Sequence, residues 1–386
     1  MRILVVIYEW PPLGGGGGVV AHQLSHWWAG MNHAVTVITS SFKGLQGVEK
    51  PLKGLTILRI PAWRRFKEKG SLPDLARFPF AAWKKANELK REGMDFDIVH
   101  VHFALPCGII TNRLRNLFGA PVVITSHGGD VPNKETRYKH VYPFVSWIAR
   151  RVLRSADLLT AVTPTYVDRI KATAPDVDVT VIPNMVDTAH FTPVPTAKAH
   201  DLIFISRLVP QKNPMFAIEA MPLVLKKRPG TKLMMVGDGT QYDALVQRAK
   251  ELGVDKNITF QRWVDHQKTN ELYRQCKVFL SLQQETNFGS LSLLEAMSTG
   301  LPTVATDVGH TRAMVFEDKT GLLVPLGDKE ALANAILDVI DDPEKQATMG
   351  ANARKFVLDT YSVAAAAEKY LRVFDAAITA KKPGRA

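Results

Sequence analysis

Ile3-Leu-Val-Val-Ile-Tyr-Glu-Trp-Pro-Pro-Leu-Gly-Gly-Gly-Gly-Gly-Val19 places a short β-rich apolar run ahead of a turn and five glycines, and a longer amphipathic stretch follows. The run Ile3–Tyr8 suits a buried strand, and the glycines suit a loop feeding a helix. The same alternation recurs along the chain. Further strands are predicted at Ala34–Thr39, Leu55–Ile60, Asp97–His102, Pro121–Ser126, Asp157–Thr163 and Asp178–Ile182. A proline-studded stretch, Thr192-Pro-Val-Pro-Thr-Ala-Lys-Ala, interrupts the pattern as a linker would. It resumes with Leu202–Ser206, Lys232–Val236, Ile258–Gln261, Val278–Leu282, Thr303–Ala305 and Gly321–Val324. Short apolar strands separated by helices predict an α/β chain of two doubly wound parallel-sheet domains facing a cleft.

Length and composition agree with two cores. The chain has 386 residues, 46% hydrophobic and 22% charged, which excludes a disordered or collagen-like polymer. No run reaches the roughly 18 apolar residues of a spanning helix, and Ile3–Ile7 is too short for a signal peptide's core, so a cytoplasmic protein is expected. Cys107 and Cys276 have no metal-ligand spacing and are expected as buried free thiols. Basicity is concentrated in the first half: residues 1–190 carry 24 Lys and Arg against 15 Asp and Glu, the remainder 25 against 22. Within residues 62–92, nine basic side chains alternate with Trp63, Phe66, Phe78, Phe80 and Trp83. That pattern fits an anionic membrane surface as well as a solvated helix face, and on the first reading the protein would lie peripherally at the inner face. No nucleic-acid motif accompanies it.

In open parallel sheets ligands sit beyond the carboxyl ends of the strands, so the loops there are the places to look for chemistry. Gly14, Gly15, Gly16, Gly17 and Gly18 can wrap an anionic or hydroxyl-bearing ligand before a helix N-terminus. Gly16, Gly18 and Ala21 also match the dinucleotide pattern G-x-G-x-x-A, but the second strand ends in Thr39-Ser-Ser41 without the acid that would hold a ribose. An NAD(P)-dependent oxidoreductase therefore stays only as an alternative. In the second half, Arg207 offers a planar fork and Lys212 a compact charge, together suited to a diphosphate. The loop through Gly289 into a helix leaves free amides at Ser290, Leu291 and Ser292, a second phosphate cradle. Glu295, further into that helix, can accept two ribose hydroxyls. His127, followed by two glycines and Asp130, is a candidate contact for a reacting group. His100, inside an apolar strand, reads as structural. His102, Asp130, Asn184 and Gly237 complete the strand-end set, and no motif calls for a metal or other cofactor.

These residues together resemble the retaining nucleotide-sugar glycosyltransferases of family 4, which have the two-Rossmann GT-B fold. The resemblance runs through Pro12-Leu-Gly-Gly15, His100-Val-His102, His127-Gly-Gly-Asp130, Val181-Ile-Pro-Asn184-Met-Val-Asp187 with Phe191, Ser206-Arg207-Leu208 with Lys212, Val236-Gly-Asp-Gly239, and Leu294-Glu295-Ala-Met with Gly300-Leu-Pro302. It implies that Arg207 and Lys212 bind the donor diphosphate, Glu295 the ribose and His127 the hexose. The glycine loop would lie between donor phosphate and acceptor. Residues 1–190 would form the acceptor-side domain, with a helix over 361–380 packing back on it, and 191–360 the donor domain. One departure concerns the family's pair of glutamates, spaced E-x7-E. Counting back eight from Glu295 reaches Asn287, and the nearest carboxylate is Glu285. Either Asn287 replaces the first glutamate or a longer loop lets Glu285 take its place, and the second is preferred because a carboxylate stabilises an oxocarbenium-like transition state. Val308-Gly-His310-Thr-Arg-Ala313 also departs from the family, which leaves the donor hexose open. The expected activity is transfer of a hexosyl unit from a UDP- or GDP-sugar to a glycan, lipid or small-molecule acceptor. A non-catalytic nucleotide-sugar binder is the other alternative.

Overall fold

Strands form wherever β-branched and aliphatic side chains run together. In the first half they are β1 (Arg2–Val6), β2 (Ala34–Ser40), β3 (Val48–Leu52), β4 (Leu55–Ile60), β5 (Ile98–His102), β6 (Val122–Ser126), β7 (Leu158–Ala161) and β8 (Val179–Val181). The second half adds β9 (His200–Ile205), β10 (Leu233–Val236), β11 (Ile258–Gln261), β12 (Cys276–Ser281), β13 (Thr303–Thr306) and β14 (Gly321–Val324). The computed structural model describes residues 1–45, 47–61, 72–132, 142–286 and 289–380.

The chain divides into two compact units, one of Met1–Pro183 with the segment from Val363 on, the other of Asn184–Ser362. The division precedes the proline-rich stretch because Val186 and Phe191 are already buried in the second unit's core. In the first unit the strand order is β3-β4-β2-β1-β5-β6-β7-β8. Every pairing is parallel except β3 with β4. From β1 the chain runs to β2 and β4 on one side and then crosses from β4 to β5 on the other side of β1, so the loops after β1 and β5 flank the switch point where such sheets bind ligands. The second unit has the wholly parallel order β11-β10-β9-β12-β13-β14, with its switch point between β9 and β12.

Helices cover both faces, and the central strands are consequently apolar along their length rather than alternating. Ile3, Leu4, Val5 and Val6 are all fully buried. The helix Gly16–Gly30 sends Trp28 inward, where its ring lies 5.2 Å from Phe374 of the C-terminal helix Val363–Ala380. Trp28 Nε1 donates to the Ala367 carbonyl at 3.4 Å. β3, which the sequence did not suggest, is an edge strand with Glu49, Lys50 and Pro51 in it. It exists through its pairing with β4 and an ion pair between Glu49 and Arg59, and proline is admissible at an edge. Cys107 and Cys276 are buried and free. Among the described residues no helix is long and apolar enough to cross a membrane.

Candidate active site

In the second unit the loops after β9 and β12 lie side by side at the switch point. Gln284 donates its amide to the Gln211 carbonyl at 3.1 Å. Lys212 Nζ reaches Gln283 Oε1 at 2.5 Å. A pocket here is lined by Ser206, Lys212, Gln283 and Ser292 among others. Burial, and next the like charge of Arg207, push the Lys212 ammonium down to about 8, while Glu285 pulls it back up. Arg207, Lys212 and Glu285 therefore share one electrostatic neighbourhood, with the two cations poorly compensated. A bound anion would relieve their repulsion.

The loop after β10 braces this corner from behind. Gly237 has φ +137°, and a Cβ there would lie 1.9 Å from the Ser206 carbonyl oxygen. Its role is close backbone approach. The β12 loop enters the helix Leu291–Ser298 through Gly289, at φ +68°, with Ser290 as an N-cap whose side chain caps no helix amide. Asn184 Nδ2 holds the Gly289 carbonyl at 2.7 Å. The first amides of the helix are thus aimed from a fixed loop, the arrangement that suits an anion. Glu285 is exposed in this loop; Asn287 lies outside the described residues.

Glu295 is buried one turn into the same helix. His266 Nε2 lies 2.8 Å from its Oε1, and the Tyr273 hydroxyl donates to its Oε2 at 2.9 Å. Burial is the largest single influence on His266 and pulls it down, but Glu295 together with Asp265 and Asp187 outweighs it, and the net shift is upward. A carboxylate has about four lone-pair sites, so these two partners orient Glu295 without exhausting it. Nothing in the sequence pattern linked His266 or Tyr273 to Glu295; their meeting depends on tertiary packing.

In the first unit, His127 follows β6 and is held twice. Its backbone amide donates to Asp130 Oδ1 at 3.0 Å, and its Nε2 lies 2.9 Å from His102 Nδ1. Asp130 also accepts from the Ala104 amide at 2.6 Å and the Ser126 hydroxyl at 3.0 Å. Sequence reading set His102 and Asp130 beside His127 among the strand-end groups where a ligand is sought. Both are instead buried behind it, because their polar atoms are needed to fix the β5 and β6 loops. Gly128, at φ +93°, leaves room for the Tyr166 ring. Burial pushes His127 down to about 3, so the ring is neutral near pH 7.

The glycine loop holds a group the sequence did not flag. Glu9 Oε2 accepts from the Gly15 amide at 3.2 Å, and a Cβ on Gly14 would sit 2.4 Å from that oxygen. Gly17 faces the Phe103 ring, where a Cβ would come within 2.4 Å. Gly14 and Gly17 are therefore required by close packing. A carboxylate already stands at the start of the helix Gly16–Gly30, which favours a hydroxyl over a second anion there. Glu9 was findable as the sole acid between β1 and the glycines.

Comparison with known proteins bears on this arrangement. A family profile described as Glycosyltransferase Family 4 matches residues 14–190, and one described as Glycosyl transferases group 1 matches residues 187–356. The GDP-mannose-dependent alpha-(1-6)-phosphatidylinositol monomannoside mannosyltransferase of Mycolicibacterium smegmatis is 26% identical over 383 residues, covering 93% of this chain and 94% of that one. Among solved structures, sucrose-phosphate synthase from Thermosynechococcus elongatus superposes with a TM-score of 0.81 at 22% identity, over 99% of this chain and 100% of that one. HepE of Anabaena, solved with UDP-glucose, gives 0.74 at 18% identity, over 97% and 100%.

Proposed function

The chain belongs to the family 4 glycosyltransferases of the GT-B fold, and from that premise we propose a retaining hexosyltransferase whose donor is a UDP- or GDP-linked sugar. The observation that carries this reading is the convergence, within the second unit, of Arg207, Lys212 and the N-terminus of the helix Leu291–Ser298 around two adjoining loops. A guanidinium, an ammonium and aimed amides match the charge of a diphosphate and stabilise it further as it departs. In this reading Glu295, steadied by His266 and Tyr273, takes the ribose hydroxyls. His127 contacts the hexose as a neutral hydrogen-bonding group. Glu285 faces the developing positive charge on the sugar. No pairing of a nucleophile with a base is evident among the candidate residues. Same-face attack, with the leaving diphosphate accepting the acceptor's proton, is therefore the economical route to retention. The reaction on this reading uses no metal.

The acceptor is a carbohydrate or lipid-linked molecule held by the first unit. A lipid acceptor is supported by the relative that acts on a phosphatidylinositol monomannoside and by the surface of the first unit. Phe80, Phe144 and Trp147 are 64%, 65% and 54% exposed. The helix Tyr142–Ser155 carries Arg150, Arg151 and Arg154 and no acidic residue, and Arg151 lies 4.8 Å from the centre of the Trp147 ring. Such a face suits anionic headgroups. Of the basic segment 62–92, only residues from 72 on are described. We place the enzyme peripherally at the cytoplasmic membrane face on this basis. A panel of UDP- and GDP-hexoses, read by release of nucleoside diphosphate, tests the function. Turnover with at least one donor in the presence of acceptor is expected. A chain that binds donors yet releases nothing with any acceptor would be a binder and not a transferase, and stabilisation by NAD(P) alone would return the oxidoreductase alternative.

A further inference from the structure

His102 ends β5 and His127 follows the neighbouring β6, and a single contact of 2.9 Å joins His102 Nδ1 to His127 Nε2. One proton lies in that contact. Which ring owns it decides what His127 offers on its remaining nitrogen. Burial keeps both rings neutral, as it does His100 beside them, and none of the three gains from a carboxylate. A neutral imidazole that donates at one nitrogen can only accept at the other.

Suppose His127 Nε2 were the donor. His102 would then carry its own proton on Nε2, an atom sealed from solvent with no hydrogen-bond partner among the described residues. An N–H stranded there loses its hydration without return, and orphaned donors are the rarest of buried polar groups. With the proton on His102 Nδ1, the stranded atom is only a bare lone pair. His100 repeats the pattern, with Nε2 at 2.7 Å from Thr125 Oγ1 and Nδ1 lacking a partner. We infer that His102 is a positioning residue that donates from Nδ1 to His127 Nε2 and so fixes His127 as its Nδ1–H tautomer, a hydrogen-bond donor toward the ligand. The ring is further held by Phe103, whose centroid lies 4.6 Å away, and by the Asp130 clamp on its amide. The consequence for chemistry rests on the reading of His127 as the hexose contact. The site then takes a hydroxyl oxygen as acceptor and rejects a group that can only donate.

Long-range proton–nitrogen correlation spectra of the full chain labelled with nitrogen-15 histidine read the tautomer directly, with His127→Asn assigning the signal. A protonated Nδ1 and bare Nε2 on His127 are expected; the reverse pattern overturns the inference. His102→Asn retains a side-chain N–H near the Nδ1 position and should preserve the Nδ1–H tautomer. His102→Asp places only acceptors near the Nδ1 position and should draw a proton onto His127 Nε2, with turnover falling roughly tenfold, the worth of one hydrogen bond. A His127 Nε2 that stays bare in His102→Asp refutes the positioning role. Should that variant not fold, the wild-type and His102→Asn spectra still decide. If the tautomer is as inferred but the His127 signals ignore every added UDP- or GDP-hexose, the hexose contact fails while the tautomer stands.

Discussion

Glu295 shows how a residue's use depends on partners that its own motif does not contain. The Leu294-Glu295-Ala-Met pattern marks the carboxylate, yet what aims it is an imidazole and a phenol contributed from before β12. His266 is raised in the folded state because Glu295, with Asp265 and Asp187, outweighs the opposing effect of burial. A cationic group raised on folding stabilises fully below its unfolded value of about 6.5, and that contribution disappears as pH climbs through the folded value. His266→Asn, which keeps a donor without the charge, should therefore melt below the wild type at pH 6 by a margin that shrinks toward pH 8. A melting difference independent of pH would contradict the charged contact. His100 and His127 act with the opposite sign. Both are held down to about 3, so their contribution is present above about 6.5 and is lost as acid protonates the unfolded chain first. Of these residues, His127 and Glu295 were legible because glycines or a helix start mark them. His266, Tyr273 and Glu9 were not, since a single polar residue in a loop carries no period.

At the scale of elements, the parallel strands were legible because they are buried on both faces and so read as unbroken apolar runs. β3 was not. Its Glu49, Lys50 and Pro51 belong to an edge, where pairing with one neighbour substitutes for hydrophobic pattern. The helix Tyr142–Ser155 carries a related lesson, since the sequence drew attention to residues 62–92 while Phe144 and Trp147 are among the most exposed large apolar side chains. Replacing both with Ala should reduce binding to anionic vesicles several-fold at any salt concentration, and Arg151→Glu should weaken binding most at low salt. Cosedimentation measures each. Equal recovery of wild type and variants on anionic vesicles would remove the membrane face from this helix.

The molecule as a whole repeats one architecture twice with different charge. The first unit's glycine loop already contains the Glu9 carboxylate, whereas the second unit's loops bring Arg207 and Lys212 together with little to neutralise them. Two sheets that share a parallel core thus differ in the charge they present at their switch points. Sequence alternation revealed both sheets, but the chain division at Asn184 depended on where Val186 and Phe191 are buried, which spacing does not encode. In the proposed reading this electrostatic contrast directs the donor diphosphate to the second unit. Calorimetric titration of UDP and GDP into wild type, Arg207→Met and Lys212→Met, at pH 7 and pH 9, measures it directly. One nucleotide should bind, each substitution should weaken it about 10- to 100-fold as loss of a charged hydrogen bond does, and the wild type and Arg207→Met, but not Lys212→Met, should lose further affinity above pH 8 as Lys212 discharges. Affinity indifferent to both substitutions, or binding of neither nucleotide, would contradict it.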